Sequence, residues 1–493
     1  MASIKPILAS DAVHVKGKHL FKNDGTQFII KGIAFPTPPE TMLTEDHRGY
    51  HSEAWLKILH QLRDSELEFN AVRMYRMYPE RVDYSEFFRG AAELGVYVIV
   101  PLTAASGPGV LDRKLAAPKC YKPKLFKYGA RAIREYLRYP NVLAGVVGNE
   151  VMNDEKAWRS APCIRAYARD LKVFMDSMVE EGAANRTLPL IYAAQDSATI
   201  GGAAVDKDTV MKLTVDYLTC SEEGKGVAVP DMAGKEPTHG IEHFSENKFG
   251  QSPIDIYGVN IESWCSSTQD FYKNPDGTPG SYYSLWQALR NSSIPIIFSE
   301  MGCPHSQFDR DDLERKTKEG TRDWAQIPVV LDDMGDSWSG FVAYTYDGPK
   351  DFIMFDGGEW NGKDVLTPTK DFENFKHQLK KISRYETNIT LDEFDDGRFL
   401  PSRCDDVETD LLSCCGVRLF NDEKMPSYSH MIDVHTGREV NNNMWLTMAA
   451  FVLALGATFW IHKNSRAKRI GVEGVSLLNG NSIENVEYKS ISS

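Results

Sequence analysis

Eight short apolar runs, rich in β-branched residues, constrain the fold of this chain more than any other feature of its sequence. They lie between about residue 20 and residue 383, and longer amphipathic segments separate them. Strands that are apolar at nearly every position are buried on both faces, which is typical of a parallel sheet covered by helices. The runs are FIIKGIAF (28–35), AVRMYRM (71–77), VYVIVPL (96–102), VLAGVVGNE (142–150), LPLIYAA (188–194), DIYGVNI (255–261), PIIFSEMG (295–302) and FVAYTYD (341–347).

The segments between these runs have helical periodicity. Examples are SEAWLKILHQLRDSELE (52–68), YSEFFRGAAELG (84–95), KYGARAIREYLRYP (127–140) and IRAYARDLKVFMDSMVEEG (164–182). Eight strands joined by helical crossovers predict an α/β fold, a (β/α)8 TIM barrel with insertions. The alternative, an open doubly wound sheet, calls for a glycine-rich phosphate loop after an early strand, and AASGPG (104–109) is not one.

Two predicted strands carry a glutamate at their carboxyl ends, Glu150 in the fourth run and Glu300 in the seventh. Side chains at these strand ends face the active-site mouth of a barrel. Cleavage of a glycosidic bond needs two carboxyls, one protonated and one ionised. The sequence therefore predicts that Glu150 and Glu300 are the catalytic pair of a glycoside hydrolase-type enzyme. The alternative, that each is a salt-bridged strand terminus, stays open.

Several longer segments occur in one order along the chain: NAVRMYRMYP, YPNVLAGVVGNEV, APCIRAYARDLKVFM, VDYLTC, DIYGVNIESWC, IPIIFSEMGCP, WSGFVAYTYD and DFENFKHQL. As a set they resemble the fungal-type β-1,3-glucanosyltransferases of glycoside hydrolase family 72, over residues 12–383. The resemblance implies a (β/α)8 catalytic domain. It also implies a retaining transglycosylase that cleaves β-1,3-glucan and joins the new end to another glucan chain.

The resemblance further implies roles for single residues. Glu150 matches the family's acid/base and Glu300 its nucleophile, and Asn149 matches an asparagine that contacts the 2-hydroxyl of the sugar. The other matched residues, expected near the nucleophile or the sugar subsites, are Arg73, Tyr75, Asp196 and Tyr344. An ordinary ion pair for Arg73 and a core position for Tyr344 are the structural alternatives.

The chain departs from the family pattern after the sixth strand. Glu262 stands where the family carries a tyrosine that would hydrogen-bond the nucleophile, and Met301 replaces an aromatic residue. A third carboxylate at this place would raise the pKa of a neighbouring carboxyl by repulsion. We therefore expect Glu262 to line the substrate site, with either a reassigned role or an altered pH optimum of the enzyme. An early cysteine pair of the family is also missing, since no cysteine precedes Cys120.

Transfer and hydrolysis use the same two glutamates, so the sequence leaves both open. Aromatic acceptor subsites would favour transfer, and the candidate residues for such a platform are Trp264, Tyr282, Tyr283 and Tyr346, which core packing would explain equally. A catalytically silent glucan-binding membrane protein is the alternative from another functional class. A formal charge of −13 argues against a nucleic-acid partner. No metal cluster or cofactor loop is present in the sequence, and we expect neither a metal nor a cofactor.

The disulfides that the resemblance implies would need an oxidising compartment. By the resemblance, Cys265 pairs with Cys303, and Cys220 matches a family cysteine for which Cys404 is the candidate partner. Free buried thiols are the alternative. Glycosylation sequons begin at Asn185, Asn291 and Asn388.

A C-terminal apolar segment predicts a single membrane span. Residues 444–461 read MWLTMAAFVLALGATFWI without a charge, and a basic cluster from Lys463 to Arg469 follows. The positive-inside rule places that cluster in the cytosol. The predicted order is therefore a catalytic domain (12–383), a polar stalk (384–443), a transmembrane helix (444–461) and a cytoplasmic tail (462–493) of a cell-surface protein. The start of the chain has no apolar run long enough for a signal peptide.

Overall fold

The computed structural model describes residues 12–35, 50–104, 107–154, 156–195, 207–220, 253–263, 270–274, 276–304, 322–346, 354–356, 367–382, 389–391, 401–402, 404, 407 and 425–440. Eight parallel strands close into a barrel in the order β10-β3-β4-β5-β6-β7-β8-β9, which confirms the predicted TIM barrel. These strands are β3 (Ile30–Ala34), β4 (Ala71–Arg73), β5 (Tyr97–Pro101), β6 (Val142–Asn149), β7 (Leu190–Gln195), β8 (Ile256–Ile261), β9 (Ile296–Met301) and β10 (Trp338–Ala343).

Helices follow the strands as crossovers. They are α1 (Tyr50–Asp64), α2 (Ser85–Glu93), α3 (Pro123–Tyr136), α4 (Ala161–Glu180), α5 (Lys207–Thr219), α6 (Ser281–Leu289), α7 (Gln326–Leu331) and α8 (Lys370–Ile382). A short antiparallel pair, β11 (Phe355–Asp356) and β12 (Thr367–Pro368), precedes α8.

Side chains of each barrel strand alternate between two apolar clusters. In β5, Tyr97 and Ile99 belong to the inner cluster, whereas Val98 and Val100 belong to the outer cluster with the helices. This alternation is the two-residue period of a strand, and both sets are buried because the barrel has a filled interior and a helical shell. It explains why the strands read as nearly continuous apolar runs in the sequence.

An N-terminal hairpin covers the amino-terminal end of the barrel. It consists of β1 (Val13–Lys16) and β2 (His19–Lys22), which pair antiparallel. Its apolar residues Val13 and Leu20 share the inner cluster with Phe28 and with Tyr97 at the start of β5. The rings of Phe28 and Tyr97 meet edge to face, with centroids 4.9 Å apart. The active-site mouth is therefore the opposite, carboxyl-terminal end.

Residues 425–438, within the stretch predicted to be a stalk, pack against the helical shell. Met425, Ile432 and Val434 are buried in the outer cluster. The carboxylate of Asp170 on α4 is fully buried and accepts hydrogen bonds from Ser427 Oγ over 2.8 Å and from the backbone N–H of Tyr428 over 2.7 Å. The end of this segment is thus anchored to the barrel by apolar burial and by a buried carboxylate.

The chain divides into two compact units, Met1–Arg438 and Glu439–Ser493. Within the described residues, no helix combines the length and the apolar character needed to cross a bilayer. The apolar segment 444–461 lies outside the described residues, so the predicted span stays a prediction.

Candidate active site

Two carboxylates at the carboxyl ends of barrel strands belong to one hydrogen-bonded network. Glu150 directly follows β6, and Glu300 is the penultimate residue of β9. Asn260 in β8 donates from Nδ2 to Glu150 Oε1 over 2.8 Å. Arg73 Nη1 donates to Asn260 Oδ1 over 3.4 Å and to Glu300 Oε1 over 3.1 Å. The structure therefore brings together the two glutamates that the sequence singles out.

Arg73, the last residue of β4, is the cation of this network and is only 2% exposed. Its Nη1 also donates to the backbone oxygen of Ser299 over 2.6 Å, and its Nη2 donates to Asn149 Oδ1 over 2.6 Å. A guanidinium has donors only and cannot lose its proton in a protein, so burying it requires anionic and neutral acceptors. Glu300 supplies the anion, and Arg73 in turn holds the Glu300 carboxylate in the cleft.

Two tyrosines lie beside this ion pair. Tyr75 Oη donates to Glu300 Oε1 over 3.0 Å, and the guanidinium carbon of Arg73 lies 4.6 Å from the centroid of the Tyr75 ring. The ring of Tyr344, just beyond β10, meets Tyr75 edge to face with centroids 6.1 Å apart. Arg322 donates to the backbone oxygen of Tyr344. Tyr75 and Tyr344 thus form one wall next to the Glu300 carboxylate.

Burial raises the pKa of Glu300 to about 7, from an ordinary value of 4.5. The charge of Arg73 and the hydrogen bond from Tyr75 lower this pKa, whereas the negative charges of Glu150 and Glu262 raise it. Arg73 and Tyr75 stabilise the ionised form, but burial outweighs them, so this carboxyl titrates near neutral pH. A carboxyl whose pKa is shifted by burial and by specific charged partners is typical of functional sites.

Asn260 is a site residue that the sequence reasoning missed. Its Nδ2 also donates to Asn149 Oδ1 over 3.2 Å, and its Oδ1 accepts from Ser299 Oγ over 2.7 Å. The side chain is 3% exposed and lies in a strand whose other residues are apolar or glycine. An amide in such a run, DIYGVNI, was the signal that would have pointed to it, because buried polar groups require partners.

The backbone at Glu150 has an unusual conformation. Its φ is 49°, in the left-handed region that non-glycine residues rarely occupy. The N–H of Glu150 donates to the backbone oxygen of Ala193 in β7 over 2.8 Å, and Arg113 Nη1 donates to the backbone oxygen of Glu150 over 3.2 Å. Conformations of this kind cost about 1–3 kcal/mol and persist where the surroundings impose them, typically at active sites.

The other residues expected at the site differ in where the structure places them. Glu262 is exposed and follows β8, close enough to Glu300 for its charge to raise the pKa of that carboxyl. Asp196 and Trp264 lie outside the described residues. Two of the candidates for an aromatic platform, Tyr282 and Tyr346, are fully buried and pack in the outer cluster, which favours the core-packing alternative for both. Tyr283, another candidate for the platform, is half-buried against the same cluster.

The disulfides include one that we expected and one that we did not. Cys220 and Cys404 are joined across 184 positions. Cys303 is disulfide-bonded, and its expected partner Cys265 lies outside the described residues. The Cys120–Cys163 disulfide, which links the segment before α3 to α4, was not anticipated, because single cysteines in different segments give no pairing signal.

Two of the three sequon asparagines are described. Asn185 and Asn291 are both exposed, as an acceptor of a glycan must be. Asn388 lies outside the described residues. Glycosylation at these positions stays a prediction.

The chain resembles known proteins over most of its length. The family model described as glucanosyltransferase, of glycoside hydrolase family 72, matches residues 3–383. Protein EPD2 of Candida maltosa is 25% identical over 78% of this chain, and the 1,3-beta-glucanosyltransferase gas1 of Schizosaccharomyces pombe is 24% identical over 70%. The chain covers 59% and 51% of those two proteins, respectively, so it spans little more than half the length of each relative.

Solved structures support the fold independently. The crystal structure of ScGas2 superposes with a TM-score of 0.59 at 21% identity, covering 86% of this chain and 78% of that one. Another structure, of Saccharomyces cerevisiae Gas2p bound to laminaritetraose and laminaripentaose, superposes with a TM-score of 0.57. With the barrel, the paired glutamates and the match over residues 3–383 in place, the chain belongs to the glucanosyltransferase family, glycoside hydrolase family 72.

Proposed function

We propose that this protein is a retaining β-1,3-glucanosyltransferase with Glu300 as nucleophile and Glu150 as acid/base. One observation carries the assignment: Glu150 and Glu300 stand at the mouth of the barrel in a single network with Arg73 and Asn260. Double displacement at an anomeric carbon requires two carboxyls, one that attacks the carbon and one that gives and takes the proton. The names of the curated relatives, 1,3-beta-glucanosyltransferases among them, supply the substrate class.

In the first half-reaction, an ionised oxygen of Glu300 attacks the anomeric carbon. The bond from that carbon to the bridging oxygen breaks while a bond to Glu300 forms, and Glu150 gives its proton to the departing oxygen. Arg73 and Tyr75 orient the attacking carboxylate, since both donate to Glu300 Oε1. The products are a shortened glucan and a glycosyl ester on Glu300.

In the second half-reaction, the direction of proton transfer reverses. Glu150, now ionised, takes a proton from the incoming hydroxyl, whose oxygen attacks the anomeric carbon and displaces Glu300. A sugar hydroxyl gives a new β-linked glucan, whereas water gives hydrolysis. We place transfer first because the relatives are glucanosyltransferases.

Substrate contacts follow from the groups around the two carboxylates. Asn149 Oδ1 is occupied by Arg73 and Asn260, so its amide nitrogen is oriented to donate to a sugar hydroxyl. Tyr75 and Tyr344 form the wall of the sugar subsite, and Glu262 and Asp196 take part in binding hydroxyl groups along the glucan.

We also propose the cellular arrangement from the sequence. Residues 444–461 anchor the protein in a membrane with the barrel on the extracytoplasmic side, at the cell surface. The Cys220–Cys404 disulfide and the exposed sequons at Asn185 and Asn291 support an oxidising, glycosylating compartment.

The test is incubation of the purified protein with a β-1,3-oligosaccharide of one length, followed by separation of the products. Transfer predicts products both shorter and longer than the substrate, whereas hydrolysis gives only shorter ones. Glu300→Gln and Glu150→Gln should each abolish product formation, because each removes one carboxyl of the pair.

A variant of another carboxylate provides the matched control. Asp112→Asn alters an exposed ion pair with Lys122 outside the network and should leave the product pattern unchanged. Binding of the oligosaccharide by the parent protein without any product would instead support the silent glucan-binding alternative.

A further inference from the structure

We infer that Ser299 is a positioning residue for the acid/base Glu150, acting through the side-chain amide of Asn260. The inference rests on the proposed function, since it assigns a residue to the same reaction. Ser299 Oγ donates to Asn260 Oδ1 over 2.7 Å, and Asn260 Nδ2 donates to Glu150 Oε1 over 2.8 Å. Two hydrogen bonds thus link a serine in β9 to the acid/base beyond β6.

A bulge in β9 directs Ser299 to this place. Between β8 and β9 the register pairs Val259 with Phe298 and then Asn260 with Glu300, so Ser299 is the extra residue of β9 at this point. A bulge adds one unpaired residue and turns its side chain, and bulges occur frequently beside active sites. Here the bulge allows two successive residues, Ser299 and Glu300, to serve the same site.

The neighbouring strand leaves space for the serine. A Cβ atom at Gly258 would lie 2.5 Å from Ser299 Oγ and 2.7 Å from Ser299 Cβ, closer than real Cβ contacts. Only glycine at position 258 lets Ser299, which is 1% exposed, sit against β8 within reach of Asn260. The arrangement in β8 is therefore built around this serine.

The partners of Asn260 fix the direction of its amide. Arg73 has donors only, so the atom of Asn260 that faces it must be the oxygen, and the nitrogen must face Glu150. The bond from Arg73 is long at 3.4 Å, so the 2.7 Å bond from Ser299 is the stronger restraint on Asn260 Oδ1. With Glu150 Oε1 accepting from Asn260, its other oxygen is left to carry the proton for the leaving group.

The experiment compares two substrates in the Ser299→Ala variant of the full chain. One is an unactivated β-1,3-oligosaccharide, whose leaving oxygen needs the proton of Glu150. The other is the 2,4-dinitrophenyl glycoside of a β-1,3-oligosaccharide, whose leaving group departs without a proton. We expect kcat/KM to fall roughly tenfold for the first, the equivalent of one lost buried hydrogen bond, with little change for the second.

A matched control separates positioning from folding. Ser339→Ala removes another buried strand hydroxyl, one that donates to the backbone oxygen of Lys18 over 3.3 Å. This variant should not lower kcat/KM for one substrate more than for the other. If Ser299→Ala does not fold, Ser299→Cys keeps a weaker donor and should show the same selective loss to a smaller degree.

The outcomes distinguish this inference from the function on which it rests. Equal losses with the two substrates, or no loss with either, would overturn the role of Ser299 while leaving the enzyme assignment intact. Failure of the parent protein to turn over either substrate would contradict the proposed function, and the inference with it.

Discussion

The hydrogen bond from Tyr75 to Glu300 gives a quantitative prediction about pH. Burial raises the pKa of Glu300 to about 7, and the Tyr75 hydroxyl opposes this rise by stabilising the ionised carboxylate. The nucleophile is active when it is ionised, so kcat/KM should fall as the pH drops through this pKa. Tyr75→Phe removes the donor, which raises the pKa further and moves the acid limb of the profile to higher pH.

The size of the effect follows from the hydrogen bond. A hydrogen bond to a charged group contributes about 1.5–3 kcal/mol, and 1.36 kcal/mol corresponds to one pKa unit. At the lower end of this range, loss of the Tyr75 hydroxyl raises the pKa of Glu300 by about one unit. At pH 6 the ionised fraction then falls from about one tenth to about one hundredth, whereas at pH 9 both forms are almost fully ionised. The loss of kcat/KM at pH 6 should exceed the loss at pH 9 by about tenfold.

The assay is kcat/KM for a β-1,3-oligosaccharide between pH 5 and pH 9, expressed as the ratio of variant to parent. The ratio cancels the titration of groups that the substitution does not touch. Tyr84→Phe is the control, because Tyr84 is also a buried tyrosine but accepts its hydrogen bond from the backbone of Tyr78, outside the network. A ratio for Tyr75→Phe that is constant across this range would refute the reasoning.

Three further substitutions test other parts of the structure. Glu262→Gln removes a negative charge that raises the pKa of Glu300, so the acid limb of kcat/KM should move to lower pH; an unchanged or upward-shifted limb would contradict this. Cys404→Ser opens a 184-residue loop closed by the disulfide and should cost about 2–5 kcal/mol, seen as a lower Tm without reductant. Asp170→Ala leaves buried donors without their acceptor and should destabilise the protein by about 3–5 kcal/mol in urea titrations; a stability like that of the parent would show that residues 425–438 are not anchored there.

The barrel was predictable because each strand carries the same signal. Burial on both faces makes a parallel strand apolar throughout, and the runs at 142–150 and 295–302 contain β6 and β9. The hairpin of β1 and β2 escaped prediction, since its short strands VHVK and HLFK mix apolar and polar residues. The packing of residues 425–438 escaped prediction as well, because its contacts depend on distant partners such as Asp170.

The site was predictable to the extent that its residues end strands. Glu150 and Glu300 are charged residues at the ends of apolar runs, a pattern that can be read from the sequence alone. Arg73 and Tyr75 were identified through the family resemblance. Asn260 lies within a run rather than after it, and its role depends on neighbours in three other strands. The sequence left a binding platform and core packing equally open for Tyr282, because composition does not distinguish a buried ring from an exposed one; in the structure the ring is buried.

Trapping the covalent intermediate tests the central claim most directly. The protein is incubated with a 2-deoxy-2-fluoro glycosyl fluoride of a β-1,3-oligosaccharide, which forms the ester and slows its breakdown, and is then digested for peptide mass spectrometry. The account predicts one added glycosyl group on the peptide that contains Glu300, and none in Glu300→Gln. A label on Glu150 or Glu262 instead, or no label in a protein that turns over glucan, would contradict it.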